Sequence, residues 1–213
     1  MLAVTVTMTI PTVSVDTVDN ALGSTPAEEC VKRIQNHGIK VCVFDMDQTA
    51  VAMHSRGRMK RGNDLLVYME KATDAFKTLV PLMHKDGIQL AIATHSDEQE
   101  YGCIVQPATH ILGEELARAM LEHTFTAEVA STFFVVAYNP RVQGTKNDEQ
   151  NKIKRFHFRK IMEHFEAKPE EILFFDDVKT VVDDCNDHIG IKAIQVDESV
   201  GFQYGDLLNG LPL

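Results

Sequence analysis

The sequence is short of positive charge and of paired cysteines. Its 213 residues hold 21 Lys and Arg against 31 Asp and Glu, a formal charge of -10 with a pI of about 5.3. A surface of that sign repels a phosphate backbone, so general coating of nucleic acid is excluded unless the few bases are clustered. The four cysteines, Cys30, Cys42, Cys103 and Cys185, form no CxxC pair. Reduced thiols are the simpler reading, and a cytoplasmic location is expected. The apolar start, MLAVTVTMTIPTVSV, has no leading Lys or Arg, no Leu-rich stretch, and Pro11 in its middle. Neither a signal peptide nor a membrane span fits that pattern. Repeats and low-complexity blocks are also missing, and no linker is long enough to divide the chain.

What is present is enough apolar material, 44% of residues, to bury a sizeable core. We expect one catalytic domain over 25–213, with a possible small insert near 98–130. It follows a leader, 1–24, that reads equally as an edge strand or a loose segment.

Thr25-Pro26-Ala27-Glu28 is a capping-box pattern with Pro at the first helical position, and Gly38 is the expected stop. Lys40–Phe44 is then a short continuous apolar run of the kind found in strands covered on both faces. Leu65, Met69, Ala72, Phe76, Leu79 and Met83 follow helical spacing toward Gly87, with Pro81 expected to kink or divide the helix. Further strand-like runs are Ile88–Ala93, Thr132–Tyr138, Ile172–Phe175 and Ile191–Val196. Helical patterns near 111–123, 149–166 and 178–185 separate them. This alternation predicts an α/β fold, a doubly wound, mostly parallel, five-stranded Rossmann-like sheet with helices on both faces. Ligands of such sheets sit beyond the carboxyl ends of the strands.

Three strand ends carry chemistry. The first continues into Asp45-Met46-Asp47-Gln48-Thr49. A carboxylate at a strand tip can attack an electrophile, and a second one nearby can move a proton to or from the leaving oxygen. Taken alone, the pattern is also that of an Asp-rich turn or helix cap. The second strand end, Thr94-His95-Ser96, offers a hydroxyl beside backbone N–H groups, a cradle for phosphate. Ser96 reads equally as a helix N-cap, and His95 as a partly exposed polar residue. The third carries Asp176-Asp177, adjacent acids that repel each other unless a cation lies between them. With Asp45 they would form a hard oxygen site suited to Mg2+.

Together, FDMDQT, IATHS and FFDDVK, with a Lys on the preceding helix, resemble the four motifs of the haloacid dehalogenase-like (HAD) hydrolase superfamily over residues 38–200. The resemblance implies Asp45 as nucleophile, forming an aspartyl-phosphate, and Asp47 as general acid/base. It implies Thr94 as a holder of a phosphoryl oxygen, with His95 beside it. It implies Mg2+ positioned by Asp45, Asp176, Asp177 and the backbone carbonyl of Asp47. An acid at position 47 goes with the phosphatases and phosphomutases of that superfamily. Lys152, Lys154, Arg155, Arg159 and Lys160 are all candidates for the motif-three cation. The likeness of Lys154–Phe158 to the small magnesium-dependent phosphatase branch selects Lys154, for catalysis and phosphate binding, with Lys160 as fallback.

Arg56, Arg58, Lys60 and Arg61 follow the first motif, so nine of the 21 bases fall in two acid-free segments flanking the expected mouth. Either an acidic protein presents a basic entrance or these are two solvated surfaces. About forty residues between Thr49 and Thr94 leave no space for a large cap domain. An open site of this kind accepts a small phosphate ester, a phosphoprotein or a nucleic-acid end. The competing functions are a silent phospho-ligand-binding or scaffold protein on the same fold, and a phosphotransferase. The last would normally need a lid to exclude water.

Overall fold

The computed structural model describes residues 24–95, 108–138 and 154–213. The expected leader up to residue 23, Ser96, Cys103, Lys152 and the first part of the expected insert lie outside the described residues.

Helix α1 (Pro26–Asn36) begins with the reciprocal Thr25–Glu28 capping box and is followed by Gly38 at φ 70. Strand β1 (Val41–Phe44) is buried throughout. The chain then makes an excursion through β2 (Arg58–Lys60), α2 (Asn63–Glu70) and α3 (Asp74–Lys85) before β3 (Gln89–His95). A second excursion holds β4 (His110–Leu112), α4 (Gly113–Thr124) and α5 (Ala127–Ser131), and leads to β5 (Phe134–Tyr138). After it come α6 (Arg155–Phe165), β6 (Ile172–Asp176), α7 (Lys179–Asp184), β7 (Lys192–Gln195) and α8 (Tyr204–Gly210).

The main sheet has the order β5-β3-β1-β6-β7, and every pairing in it is parallel. Its strands read as unbroken apolar runs because both faces are covered. Cys42, Phe44, Leu90, Ile92, Leu173 and Phe175 point into one core, packed by α1, α3, α4 and α8. Val41, Val43, Ala91, Ala93, Ile172 and Phe174 point into the other, under α6 and α7. This is the expected doubly wound sheet, and no cap domain is evident among the described residues.

Two details differ from the sequence reading. The helical run from Asp64 is two helices, and the break falls at Lys71–Thr73, where the Thr73 hydroxyl caps the second by accepting from Phe76 N–H. Pro81 lies inside α3 on its exposed side and does not divide it. The second difference is a small antiparallel ribbon, β2 with β4, too short for periodicity to reveal.

Beyond β7 the chain passes behind the first motif, where Phe202 N–H donates to Thr49 O at 2.9 Å. Gly201 makes this crossing at φ +67, and a Cβ there would lie 2.8 Å from both Thr49 O and the Thr73 methyl. A side chain would face a left-handed backbone and a clash with backbone at once. Gly201→Ala should therefore destabilise the fold by about 2 kcal/mol or more, read as a lower urea midpoint at unchanged m-value.

Candidate active site

Asp45 is the first residue past β1, and its N–H continues the ladder by donating to Phe175 O at 2.9 Å. The chain then coils tightly, Gln48 at φ 56, with Ala50 and Val51 N–H returning to the carbonyls of Asp45 and Met46. Both carboxylates of the first motif are thus held at the strand tip by backbone bonds. Thr94 is buried at the end of the neighbouring β3, and Asp176 and Asp177 lie at the end of β6 on the other side.

Lys154 joins these three tips. It stands immediately before α6 rather than on it, and its side chain is 2% exposed. Its ammonium donates to Asp45 Oδ1 at 2.5 Å and to Ala93 O at 2.6 Å, and lies 3.6 Å from Asp176 Oδ2. One turn later, His157 is fully buried with Nε2 2.8 Å from Thr94 O. A carbonyl only accepts, so the ring proton is on Nε2. Burial, then the Lys154 charge, hold this imidazole well below its ordinary pKa, and it stays neutral. Two consecutive carbonyls at the end of β3 are therefore gripped by the start of α6. Lys160, the fallback, points elsewhere and pairs with exposed Glu163 at 2.9 Å.

Burial raises the Asp45 carboxyl to about 7, with Lys154 opposing the rise and Asp176 adding to it. Asp176 and Asp177 are also pushed up, in each case first by burial. Asp176 Oδ1 accepts Val178 N–H at 2.9 Å, whereas its Oδ2 is buried with no hydrogen-bond donor. Lys154 remains protonated because the charges of Asp45 and Asp176 outweigh its desolvation.

Asp47 is held differently. Its Oδ2 accepts from His54 Nδ1 at 2.6 Å, Ser55 N–H at 2.9 Å and Ser55 Oγ at 2.7 Å, and its Oδ1 accepts from the Tyr68 hydroxyl at 2.5 Å. His54 is drawn above its ordinary pKa chiefly by this bond to Asp47. Burial, then the Asp47 charge, keep the Tyr68 phenol well above 10, hence always a donor. His54, Ser55 and Tyr68 were missed in the sequence. The one available clue was Tyr68 itself, since a tyrosine on the buried side of a helix needs a partner for its hydroxyl.

A cavity of about 190 Å3 opens between these groups, lined among others by Asp45, Asp47, His54, Thr94, His95 and Asp177. A larger hollow of about 720 Å3 lies at the opposite ends of the strands, against Lys40, Gln89 and Phe165. The acid-bearing tips are absent from it, so the smaller cavity is the candidate site. Much of the expected basic entrance is already paired: Lys154 with Asp45, Arg61 with Glu115 at 2.6 Å, Arg155 with Asp184 at 3.0 Å, and Lys160 with Glu163. Arg56 is exposed at the tip of a turn, Ser55–Arg58, whose Gly57 reaches the cavity wall.

No family model matches this sequence, and no curated protein does. Solved structures do share its architecture. An uncharacterised protein of Listeria monocytogenes superposes at a TM-score of 0.51 with 15% identity, over 78% of this chain and 83% of that one. The N-terminal part of a Bacteroides fragilis protein, containing a phosphatase domain complexed with Mg, superposes at 0.49 with 16% identity. This chain is covered to 86% and spans 42% of that structure. The HAD domain of an effector protein from Legionella pneumophila superposes at 0.44 with 14% identity, over 81% and 95% of the two chains. The first of these, above 0.5, shows a shared α/β fold. Within it, the four motif segments converge at the carboxyl ends of the central strands, where ligands of parallel α/β folds bind.

The raised Asp45 carboxyl sets a pH dependence for the metal-free chain. Between about 4 and 7 the native state holds a proton that the unfolded state has released, so stability falls as pH rises through that window. Urea titrations at pH 5 and pH 7.5 should show this loss, and Asp45→Asn should reduce it.

Proposed function

We propose that this chain is a Mg2+-dependent phosphatase, with residues 25–213 as its catalytic domain, hydrolysing phosphomonoesters through an aspartyl-phosphate on Asp45. The observation that carries the proposal is the pairing of Asp45 with the buried Lys154 ammonium, at a cavity that Asp47 also lines. Lys154 occupies Asp45 Oδ1, so Oδ2 is the oxygen that bonds to phosphorus. As that bond forms, the bond from phosphorus to the leaving oxygen breaks, and Asp47 supplies the leaving oxygen with a proton. Asp47 then takes a proton from water, the water oxygen bonds to phosphorus, and the phosphorus bond to Asp45 breaks, releasing phosphate. Thr94, with His95 beside it, holds a phosphoryl oxygen, and Lys154 offsets the charge of the transferring group.

The residues present fit a hard divalent cation. Asp176 Oδ2 is a buried carboxylate oxygen without a hydrogen bond, and burial has raised all three neighbouring carboxyls. Among the described residues no group of three or more His, Cys, Asp or Glu side chains is placed to hold a metal ion by itself. The side chains of Asp45, Asp176 and Asp177 and the backbone carbonyl of Asp47 would hold the ion. When bound, Mg2+ supplies positive charge that keeps these acids ionised beside a phosphate.

Hydrolysis is favoured over transfer to an alcohol because no cap domain is evident among the described residues. An open mouth suits a small ester, a phosphoprotein or a nucleic-acid end. A cytoplasmic setting is in keeping with the buried free thiols Cys30, Cys42 and Cys185. No described helix is long and apolar enough to cross a membrane.

The protein should hydrolyse p-nitrophenyl phosphate, EDTA should stop the reaction, and added Mg2+ should restore it. Asp45→Asn should lower kcat on the order of 10^4-fold or more while the far-UV circular dichroism stays native. Full activity in that variant would remove Asp45 as nucleophile. Tight binding of phosphate esters without turnover across a broad panel would favour a binding protein instead.

A further inference from the structure

Resting on the phosphatase reading, the hydrogen bonds around Asp47 identify which of its oxygens can handle a proton. An ionised carboxylate has about four lone-pair sites on two oxygens. Oδ2 already accepts three donors, one from His54 and two from Ser55. Oδ1 accepts one, from the Tyr68 hydroxyl. With two lone pairs on each oxygen, Oδ2 is filled and, among the described residues, the open one is on Oδ1, where Tyr68 decides its direction.

We propose that Asp47 Oδ1 carries the transferred proton and that Tyr68 is the positioning residue that aims it. Tyr68 is fully buried on α2, 21 residues from Asp47, and its ring is fixed in the core that also holds Phe44 and Met69. Its hydroxyl is the one hydrogen-bond donor to Oδ1 among the described residues. With Ser55 holding Oδ2, the two contacts fix rotation about the Cβ–Cγ bond. In the first half-reaction, Oδ1–H breaks as the proton passes to the leaving-group oxygen, which departs from phosphorus. In the second, Oδ1 accepts a proton from the water whose oxygen bonds to phosphorus. Without the phenol only the bonds at Oδ2 restrain the carboxyl, and Oδ1 is aimed less well at the leaving oxygen. The pocket geometry adds support. Asp47, His54 and Gly57 line the same cavity, so the carboxyl held by Tyr68 and Ser55 fronts the space a leaving group would enter.

The test separates aim from structural support. A leaving group of low basicity, p-nitrophenolate, needs little protonation, whereas phenolate needs much more. Because kcat/KM covers steps only up to the first phosphorus–oxygen cleavage, it isolates proton donation from the later attack of water. In Tyr68→Phe, which keeps the ring and removes the hydroxyl, kcat/KM for phenyl phosphate should fall about 10- to 100-fold. For p-nitrophenyl phosphate it should fall less than about 3-fold. Both esters are measured on one preparation, so their ratio does not depend on how much of the variant is folded. An equal loss for the two esters, or no loss, would overturn the assignment of Tyr68 while leaving the phosphatase reading intact. If the unsubstituted chain hydrolyses neither ester, the phosphatase reading fails, and the role of Tyr68 fails with it.

Discussion

One buried ammonium holds the site together. Lys154 touches the tip of β1 through Asp45, the end of β3 through Ala93 O, and the tip of β6 through Asp176. These are the three central strands of the sheet. A charge this deep is costly to bury unless it is paired and fully hydrogen-bonded. The cost is offset here by two carboxylates that are themselves driven toward protonation by burial. Each member of the trio is tolerable only because the others are present. Their relative positions are therefore set by electrostatics as well as by packing, which is what a reaction needing a nucleophile at a fixed distance requires.

Around that centre the chain uses two devices to fix the remaining groups. Lys154 and His157, one helical turn apart, take consecutive carbonyls of β3, so Thr94 cannot shift without disturbing the start of α6. On the other side, the excursion between β1 and α3 folds back over Asp47. Ser55–Arg58 closes as a turn with Arg56 and Gly57 both at positive φ, and Arg58 N–H donates to Ser55 O. The following strand is tied to β4, and the Arg61 N–H is tied to Thr109 O. The wall carrying Ser55 is thus anchored to the second excursion, and the helix that follows it brings Tyr68 in from below. A left-handed Arg is a strained choice. It is tolerated where the turn must bring two Ser55 donors onto one oxygen.

What the sequence made legible follows from which forces act locally. Continuous apolar runs such as Val41–Phe44 and Ile172–Phe175 exposed the buried strands, because burial on both faces leaves its mark in every residue. The capping box at Thr25–Glu28 and the turns at Gly38 and Gly87 were legible for the same reason, since each satisfies its own neighbours. Lys154 was distinguished from Lys160 by likeness to a motif, since both are bases in one helical stretch. The geometry separates them by burial, which depends on how α6 docks on the sheet. Helical spacing could not say where the run from Asp64 breaks, because Thr73 caps one helix while Pro81 sits harmlessly on an exposed side. The contacts of Asp47 were illegible for another reason. His54, Ser55 and Tyr68 meet it across 7, 8 and 21 residues, the first two from a loop and the third from α2, a relation that no periodicity records.

The charge balance also reads differently at the two scales. Over the whole chain, acids outnumber bases by 31 to 21. At the strand tips the imbalance is sharper, one ammonium against Asp45, Asp47, Asp176 and Asp177. Several bases that the sequence set beside the site are held by other acids, Arg61 by Glu115 and Arg155 by Asp184. Among the described residues, a phosphate ester entering this cavity would therefore meet several carboxyl groups, with Lys154 as the buried positive charge beside them. Under the phosphatase reading, ester binding and cation binding must then be coupled, each easing the other's electrostatic cost. The excess of acid argues against a nucleic-acid coat, and under the same reading it is the reason a cation would be needed beside the ester.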